Sequence, residues 1–491
     1  MTAALLPVAI LLASFLPALA TFFVPQKDAA TRNALNLGGA VVKLALVGFM
    51  IAEVSAGVVY ETRFDIVPGL SFLLRVDALS LLFLTLSAFL WLVTTIYAIA
   101  YLRDGPDLSR FFGFFSLCVT ATAGIALAGS LVTFFIFYEL LTLATWPLVV
   151  HKGDARSLAA GRLYLGYTLT GSAVLLVAIV WLEGATGPIE FTGADLRDNP
   201  GAPDETLLRV LFVLFVAGLG VKAALVPFQA WLPSAMVAPA PVSALLHAVA
   251  VVKAGAFGIV RVVHDVFGFA TVVDLGLSIP LAIAASVTIV YGSLMALRQT
   301  NLKRRLAYST VSQVSYIVLG IALATPLAVA GGLAHLVHQG LMKITLFFCA
   351  GAFAERAHAE EIVELDGVGR RMPLVATAFS VAALGMIGVP PVAGFVSKWY
   401  LGLGGLEAGA PWVVGVLAAS ALLNAAYFLP ILYRIWYRPA DADRAAASPV
   451  LGLSAPPVVT ALAALATGLF AASILSPLAW SILIVERFAL P

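Results

Sequence analysis

Two lysines lie inside the apolar stretch Leu219 to Arg261, reading LGVKAALVPFQAWLPSAMVAPAPVSALLHAVAVVKAGAFGIVR: Lys222 just before Pro227, and Lys253 after Pro241. A lysine at the centre of a bilayer costs roughly 2.5 to 3.5 kcal/mol on insertion scales, so a pair of them predicts an ion pathway. Glu139, in VTFFIFYELLTLATW, has apolar neighbours on every side and no base within one turn. It needs a partner from another helix. Lys398 follows the Pro390 and Pro391 pair, and His247 falls about two turns before Lys253 on the same expected helix. In AHLVHQGLMKITLFFCAG, spacing puts at least His335 and His338 on one face, with Lys343 further along. Histidine titrates near neutral pH and can relay protons. The chemistry these residue types suggest is therefore proton transfer. A purely structural role in packing leaves too many buried charges without neighbours, and a bis-histidine haem site leaves the lysines without a reason.

Other polar positions suggest less. Lys43, Glu53 and Asp77 are expected near membrane ends or the periphery, to snorkel or pack, and Arg162 and Arg261 to act as interfacial anchors. Cys118 and Cys349 read as small buried hydrophobes, not as a disulfide or metal site. No metal site and no cofactor are expected; CxxC clusters and a dinucleotide fingerprint are absent from the sequence.

The elements that must hold these groups are transmembrane helices. Hydrophobic residues make up 62% and charged residues 11% of the 491, against roughly 25% charged in a soluble domain. Soluble and nucleic-acid-binding classes are thereby excluded, and the net charge of +2 says little about partners. Apolar runs predict helices near 3–24, 36–59, 77–102, 111–128, 130–150, 158–182, 207–236, 240–263, 271–297, 304–324, 327–354, 373–403, 411–436 and 454–486. That is an all-α polytopic membrane protein of about fourteen spans, the first of them a retained helix. Span seven is interrupted at Pro227 and Pro233, and span twelve at Pro390 and Pro391. Proline frees backbone carbonyls, and breaks at corresponding places signal inverted repeats around a midplane site. The expected organisation is a three-helix segment (1–110), two five-helix repeats (111–263 and 271–436) and a C-terminal helix (437–491). Loop charges set orientation. Lys27, Arg32, Arg103, Arg110, Lys152, Arg156, Arg298, Lys303 to Arg305, Arg356, Arg370, Arg371, Arg434, Arg438 and Arg444 belong to one set of connections, predicted cytoplasmic. Both termini then face outside, and the Gly/Pro/Asp-rich connection 183–206 is an outer loop or short hairpin.

Several pieces carry a family resemblance: RVDALSLLF (Arg75 to Phe83), FYELLTLATW around Glu139, the stretch Gly220 to Gly255, NLKRRLAYSTVSQVSYI (Asn301 to Ile317), HQGLMKITLFFCAG (His338 to Gly351) and GVPPVAGFVSKW (Gly388 to Trp399). The chain resembles the antiporter-like subunits shared by Mrp-type sodium/proton antiporters, respiratory complex I and membrane-bound hydrogenases, and most of all the D-type subunit of the Mrp antiporter. Lysine at position 398 and a chain that ends soon after its last span point to that branch. The resemblance implies fourteen helices, two inverted five-helix repeats and a central hydrophilic axis. It implies that Glu139 and Lys222 form a switchable pair, that Lys253 and Lys398 are proton carriers, and that His335, His338 and Lys343 link the halves. At about 7 Å and an effective dielectric near 20, two unit charges interact by about 2.4 kcal/mol, enough to switch whether a buried lysine keeps its proton. The expected role is that of a proton-translocating component, a transporter part and not an enzyme, in a multisubunit sodium/proton antiporter of the plasma membrane, with other membrane subunits as partners. The alternative is a proton-pumping subunit of a complex I-type or hydrogenase-linked redox complex.

Overall fold

Helices dominate because apolar runs leave no water to satisfy the backbone, and seven of them begin at a side-chain cap. Asp28, Asp77, Ser130, Asp154, Asp204, Asn301 and Ser476 each accept a hydrogen bond from the backbone three residues on. The computed structural model describes residues 5–67, 70–103, 105–439, 450–488 and 490. The expected start of the first span at residue 3 and the loop arginine Arg444 lie outside the described residues.

In chain order the first helices are α1 (Leu6–Phe22), α2 (Ala29–Ser55), α3 (Ala78–Tyr101), α4 (Leu108–Leu127), α5 (Leu131–Val149) and α6 (Ala155–Thr186). Helix α7 (Glu205–Lys222) stops at the first break, followed by α8 (Trp231–Ser234), α9 (Ala240–Ala248), α10 (Val251–Arg261) and the short α11 (Phe269–Asp274). Then come α12 (Ser278–Leu297), α13 (Leu302–Ala322), α14 (Pro326–Ala357) and α15 (Val368–Arg371). The second break separates α16 (Pro373–Ile387) from α17 (Ala393–Glu407), and α18 (Trp412–Tyr437), α19 (Leu451–Leu469) and α20 (Pro477–Val485) end the order.

Among the described residues, ten helices are long and apolar enough to cross a membrane. The other four expected spans are helical but differ in character. α1 has 17 residues, α7 contains Glu205, Arg209 and Lys222, α13 opens with Lys303 to Arg305, and span twelve is divided into α16 and α17. α14 is buried along nearly its whole length and packs against α9, α13, α16, α17, α19 and α20, so it is the central post of the molecule.

Several expectations change. The second helix starts at Ala29, not near 36, because Asp28 caps it, and it ends at Ser55. Two strands, β1 (Tyr60–Val67) and β2 (Leu70–Val76), pair antiparallel where only a connection is expected. The expected connection 183–206 is not a hairpin: α6 continues to Thr186 and α7 starts at Glu205, and the loop between them has one turn of 3-10 helix at Leu196–Asp198 and a bridge from Glu190 to Ser130. The expected continuous helix 240–263 is interrupted at Val249 and Ala250, so His247 ends α9 while Lys253 begins α10. The segment 271–297 begins its span only at Ser278, after a turn at Gly276, and 454–486 is two helices.

Packing at both breaks is backbone on backbone. A Cβ at Gly255 of α10 would lie 2.2 Å from the Ala223 nitrogen, one residue after Lys222, and a Cβ at Gly394 would lie 1.9 Å from the Gly385 oxygen. Only hydrogen fits there. Each break also contains a cis X–Pro bond, Val226–Pro227 and Pro390–Pro391.

Candidate functional site

The first break frees the end of α7, and Lys222 occupies it. Its ammonium is fully buried, donates to the Tyr138 carbonyl, and sits 3.3 Å from the centre of the Tyr138 ring. The Glu139 carboxylate is 4.0 Å away on α5 and accepts a short hydrogen bond from the Ser172 hydroxyl of α6. This is the partner that Glu139 required. The pair is closer than the 7 Å taken from the sequence, and at 4 Å an effective dielectric of 20 gives about 4 kcal/mol. Three helices thus meet at one ion pair. Trp231, beyond the break, donates to the Val221 carbonyl at 2.8 Å and so replaces a backbone donor that the broken helix lacks.

The second break holds Lys398 in a different way. Its ammonium donates to the Met386 and Ile387 carbonyls at 2.7 and 3.0 Å, at the C-terminal end of α16, where the helix dipole favours a cation. The Asn424 amide of α18 also donates to the Met386 carbonyl, at 2.9 Å. Among the described residues no carboxylate pairs with Lys398. Beside it, the Ser397 hydroxyl lies 2.8 Å from His335 Nδ1, and the Tyr316 ring lies against both His335 and Lys398.

Between the breaks, α14 carries a row of buried groups. Lys343 donates to Ser309 Oγ at 2.7 Å, and the Ser309 and Tyr427 hydroxyls are hydrogen-bonded at 3.0 Å. Tyr427 in turn bonds Asn424. A continuous hydrogen-bonded chain therefore runs Lys343, Ser309, Tyr427, Asn424, the Met386 carbonyl and Lys398. Lys253 donates to the Leu336 carbonyl at 2.8 Å, and it lies within electrostatic reach of His335 and of Lys343. His338 rests against the Ala393 backbone at the start of α17. His247 stacks on Phe347 with ring centres 4.5 Å apart, within reach of Lys343.

Seven of the eight residues expected from the sequence are buried in the interior, Glu139 being 23% exposed, and the eight do not form one unbroken chain. Lys253, His335, His338, Lys343 and Lys398 cluster around α14; Glu139 and Lys222 form a separate pair, joined to the cluster by backbone packing at Gly255. The His247 ring nitrogens and the Gln313 and Gln339 amides are buried without a partner among the described residues. Buried polar groups of this kind need water, which makes the cluster a place for hydrated transfer.

Sequence reasoning missed the uncharged members: Ser172, Ser309, Ser397, Tyr316, Asn424 and Tyr427. It also misplaced Arg261, which is not an interfacial anchor. Arg261 is 2% exposed and pairs at 2.9 Å with both Asp77 and Asp265. The i, i+4 spacing of Arg261 and Asp265 was the available signal. Lys43 does not snorkel; it is wholly buried, donates to Ser14 at 2.9 Å and lies over the Trp91 ring. Arg162 is exposed, Glu53 is exposed, and both cysteines are buried and free.

A long bundle with two broken helices and buried lysines at each break defines a class of membrane subunit. Residues 128–424 match the family described as NADH:quinone oxidoreductase/Mrp antiporter, transmembrane, and residues 68–112 match the N-terminus of chain 5 of complex I. The chain belongs to this NADH:quinone oxidoreductase/Mrp antiporter family. It is 38% identical to NADH-quinone oxidoreductase subunit N of Desulforudis audaxviator over 73% of this chain and 72% of that one. It is 31% identical to the A/B component of a probable K(+)/H(+) antiporter of Rhizobium meliloti over 95% of this chain, which spans 47% of that relative. The fold is shared with a chain of the Mrp complex from Dietzia sp., with a TM-score of 0.85, 24% identity and coverage of 98% and 97%. It is shared equally with a chain of an archaeal membrane-bound sulfane sulfur reductase, with a TM-score of 0.85, 22% identity and coverage of 99% and 98%. The chain is a polytopic membrane subunit of a proton-translocating, antiporter-related family, and its structural neighbours are parts of multisubunit membrane complexes.

Proposed function

We propose that this chain carries protons in a multisubunit monovalent cation/proton antiporter, with sodium as the expected cation and small membrane subunits as partners. The observation that carries the reading is the division of the buried groups into an ion pair at the first break and a hydrogen-bonded cluster ending at the second. In this scheme Glu139 moves toward or away from Lys222 and so changes its hold on a proton. The proton passes by water to Lys253, through His247, His335, His338 and Lys343, and leaves at Lys398. The two halves act as inverted five-helix repeats (111–263 and 271–436), and the chain resides in the plasma membrane with both termini outside the cytoplasm. Likeness to the antiporter relative and to the Mrp complex supports this reading.

The 38% identity to NADH-quinone oxidoreductase subunit N favours a second reading, a proton-pumping subunit of a redox complex whose electron carriers lie in other subunits. One assay separates them. Everted vesicles from cells without their own antiporters, supplied with this chain and its neighbours, should release protons on addition of sodium or potassium without an electron donor. Flux that requires a donor supports the redox complex instead. In either case Glu139→Gln, which keeps the shape and the Ser172 contact but removes the charge, should abolish flux; wild-type flux in that variant would rule out the switch.

A further inference from the structure

Away from the proton path, a cavity of about 520 Å³ opens between the beginnings of α2, α4 and α19 and the end of α3. Its volume is in the range of small-molecule sites, generally about 300 to 1,000 Å³. Its lining combines Arg32, Asn33 and Arg103 with the apolar side chains of Leu37, Ile96 and Phe112. Among the described residues, none of those lining it is acidic.

Arg32 is the informative member. It is 3% exposed, and its Nη1 donates to the Gln26 carbonyl at 3.0 Å and to Ser109 Oγ at 3.4 Å, yet its Nε is buried without a partner among the described residues. The acid within electrostatic reach, Asp28, is engaged in capping α2 through Thr31 at 3.1 Å and forms no ion pair with Arg32. A buried guanidinium with a spare donor is an incomplete arrangement, because such a group normally finds an anion. Arg103, exposed at the end of α3, adds a second cation over the same opening.

The ligand must match both parts of the cavity. A free anion would satisfy the arginines and leave the apolar wall empty; a zwitterionic lipid would fill the wall but bring an ammonium that no acid among the described lining residues receives. We infer that this cavity is a site for an anionic phospholipid, whose phosphate lies against Arg32 and Arg103 and whose first acyl carbons run beside Leu37, Ile96 and Phe112. Its place in the fold agrees, since it lies at the start of α2 and the end of α3, two helices long and apolar enough to cross a membrane. Basic pockets between transmembrane helices commonly recognise such headgroups.

The test uses the full chain, purified in a neutral detergent, stripped of lipid and examined by native mass spectrometry with dioleoyl phosphatidylglycerol or dioleoyl phosphatidylcholine at equal ratio. The phosphatidylglycerol adduct should be retained at least about five-fold better, and Arg103→Gln should lower that preference about five-fold, the contribution of one interfacial cation. Arg32→Gln removes the buried cation but also a link between Gln26 and Ser109, so its folding is at risk. Leu37→Trp avoids this: it fills the slot, leaves both arginines, and should abolish the preference while the protein elutes as a single species. Equal retention of the two lipids, or a preference untouched by Arg103→Gln and Leu37→Trp, would overturn the assignment. Displacement of the adduct by inorganic phosphate alone would show a simple anion site and overturn it as well.

Discussion

Lys398 is held by backbone carbonyls, whereas Lys222 is held by a carboxylate, so the two lysines respond differently to substitution. Lys398→Ala leaves the Met386 carbonyl to Asn424 and exposes the Ile387 carbonyl within a region already suited to water, so folding should survive while proton flux is lost. Lys398→Arg keeps the cation but cannot release a proton at usable pH. Flux in everted vesicles should therefore be absent in both, and full flux in the arginine variant would remove Lys398 from the path. Arg261 presents the opposite case. Its removal as Arg261→Met takes the guanidinium from the half-buried Asp77 and leaves the buried Asp265 carboxylate with only the His264 ring beside it, a loss of about 3 kcal/mol. The thermal unfolding midpoint in detergent should fall clearly, and adding Asp265→Leu and Asp77→Asn should restore much of it. The buried charges could be read in the sequence because an ionisable residue in an apolar run is costly and stands out. Ser172, Ser309, Asn424 and Tyr427 could not, because a hydroxyl or amide in such a run is ordinary until its partner is known. Ser172 and Glu139 are 33 residues apart, and Tyr427 and Ser309 are 118 apart.

The proline-marked interruptions of spans seven and twelve were legible because proline removes a donor wherever it falls. The interruption at Val249 and Ala250 was not, since HAVAVV contains neither glycine nor proline, and the break there depends on contacts with α14. The pairing of β1 with β2 was missed for the opposite reason. A turn signal is plain in Pro68 and Gly69, but Glu61, Arg63 and Asp65 make the first strand read as part of a polar connection between spans two and three. At the second break, Gly394 allows α17 to touch the Gly385 carbonyl of α16, and valine there has no room. Gly394→Val should force the two half-helices apart, move the Met386 and Ile387 carbonyls away from Lys398, and reduce both the unfolding temperature and proton flux. A variant with normal stability and flux would show that the geometry of the break is not needed.

Across the whole molecule, charged connections gather at two ends. One end brings together Lys152, Arg156, Lys303 and Glu360, and pairs Arg434 with Asp366; the other joins Arg63 to Glu190 and Arg197 to Asp274. At that second end Glu61 is partly buried, which opposes its ionisation, but hydrogen bonds from Arg75 and Arg63 outweigh this and hold its carboxyl below the usual range. The first end is the more basic, so it should be cytoplasmic. Since Cys118 and Cys349 are buried, single reporters are practical: Thr192→Cys should react with an impermeant maleimide added to intact cells, and Lys303→Cys should not. The reverse pattern would invert the chain. Packing of Gly255 against Ala223 has a mechanical consequence at this scale. No side chain separates the two backbones, and close-packed protein hardly compresses, so the contact acts as a rigid pivot instead of a cushion. Lys222 is one residue from one side of the pivot, and Lys253 is two residues from the other. A displacement of the first lysine's backbone is therefore delivered to the second as movement, with little lost in between, even though no hydrogen bond connects them.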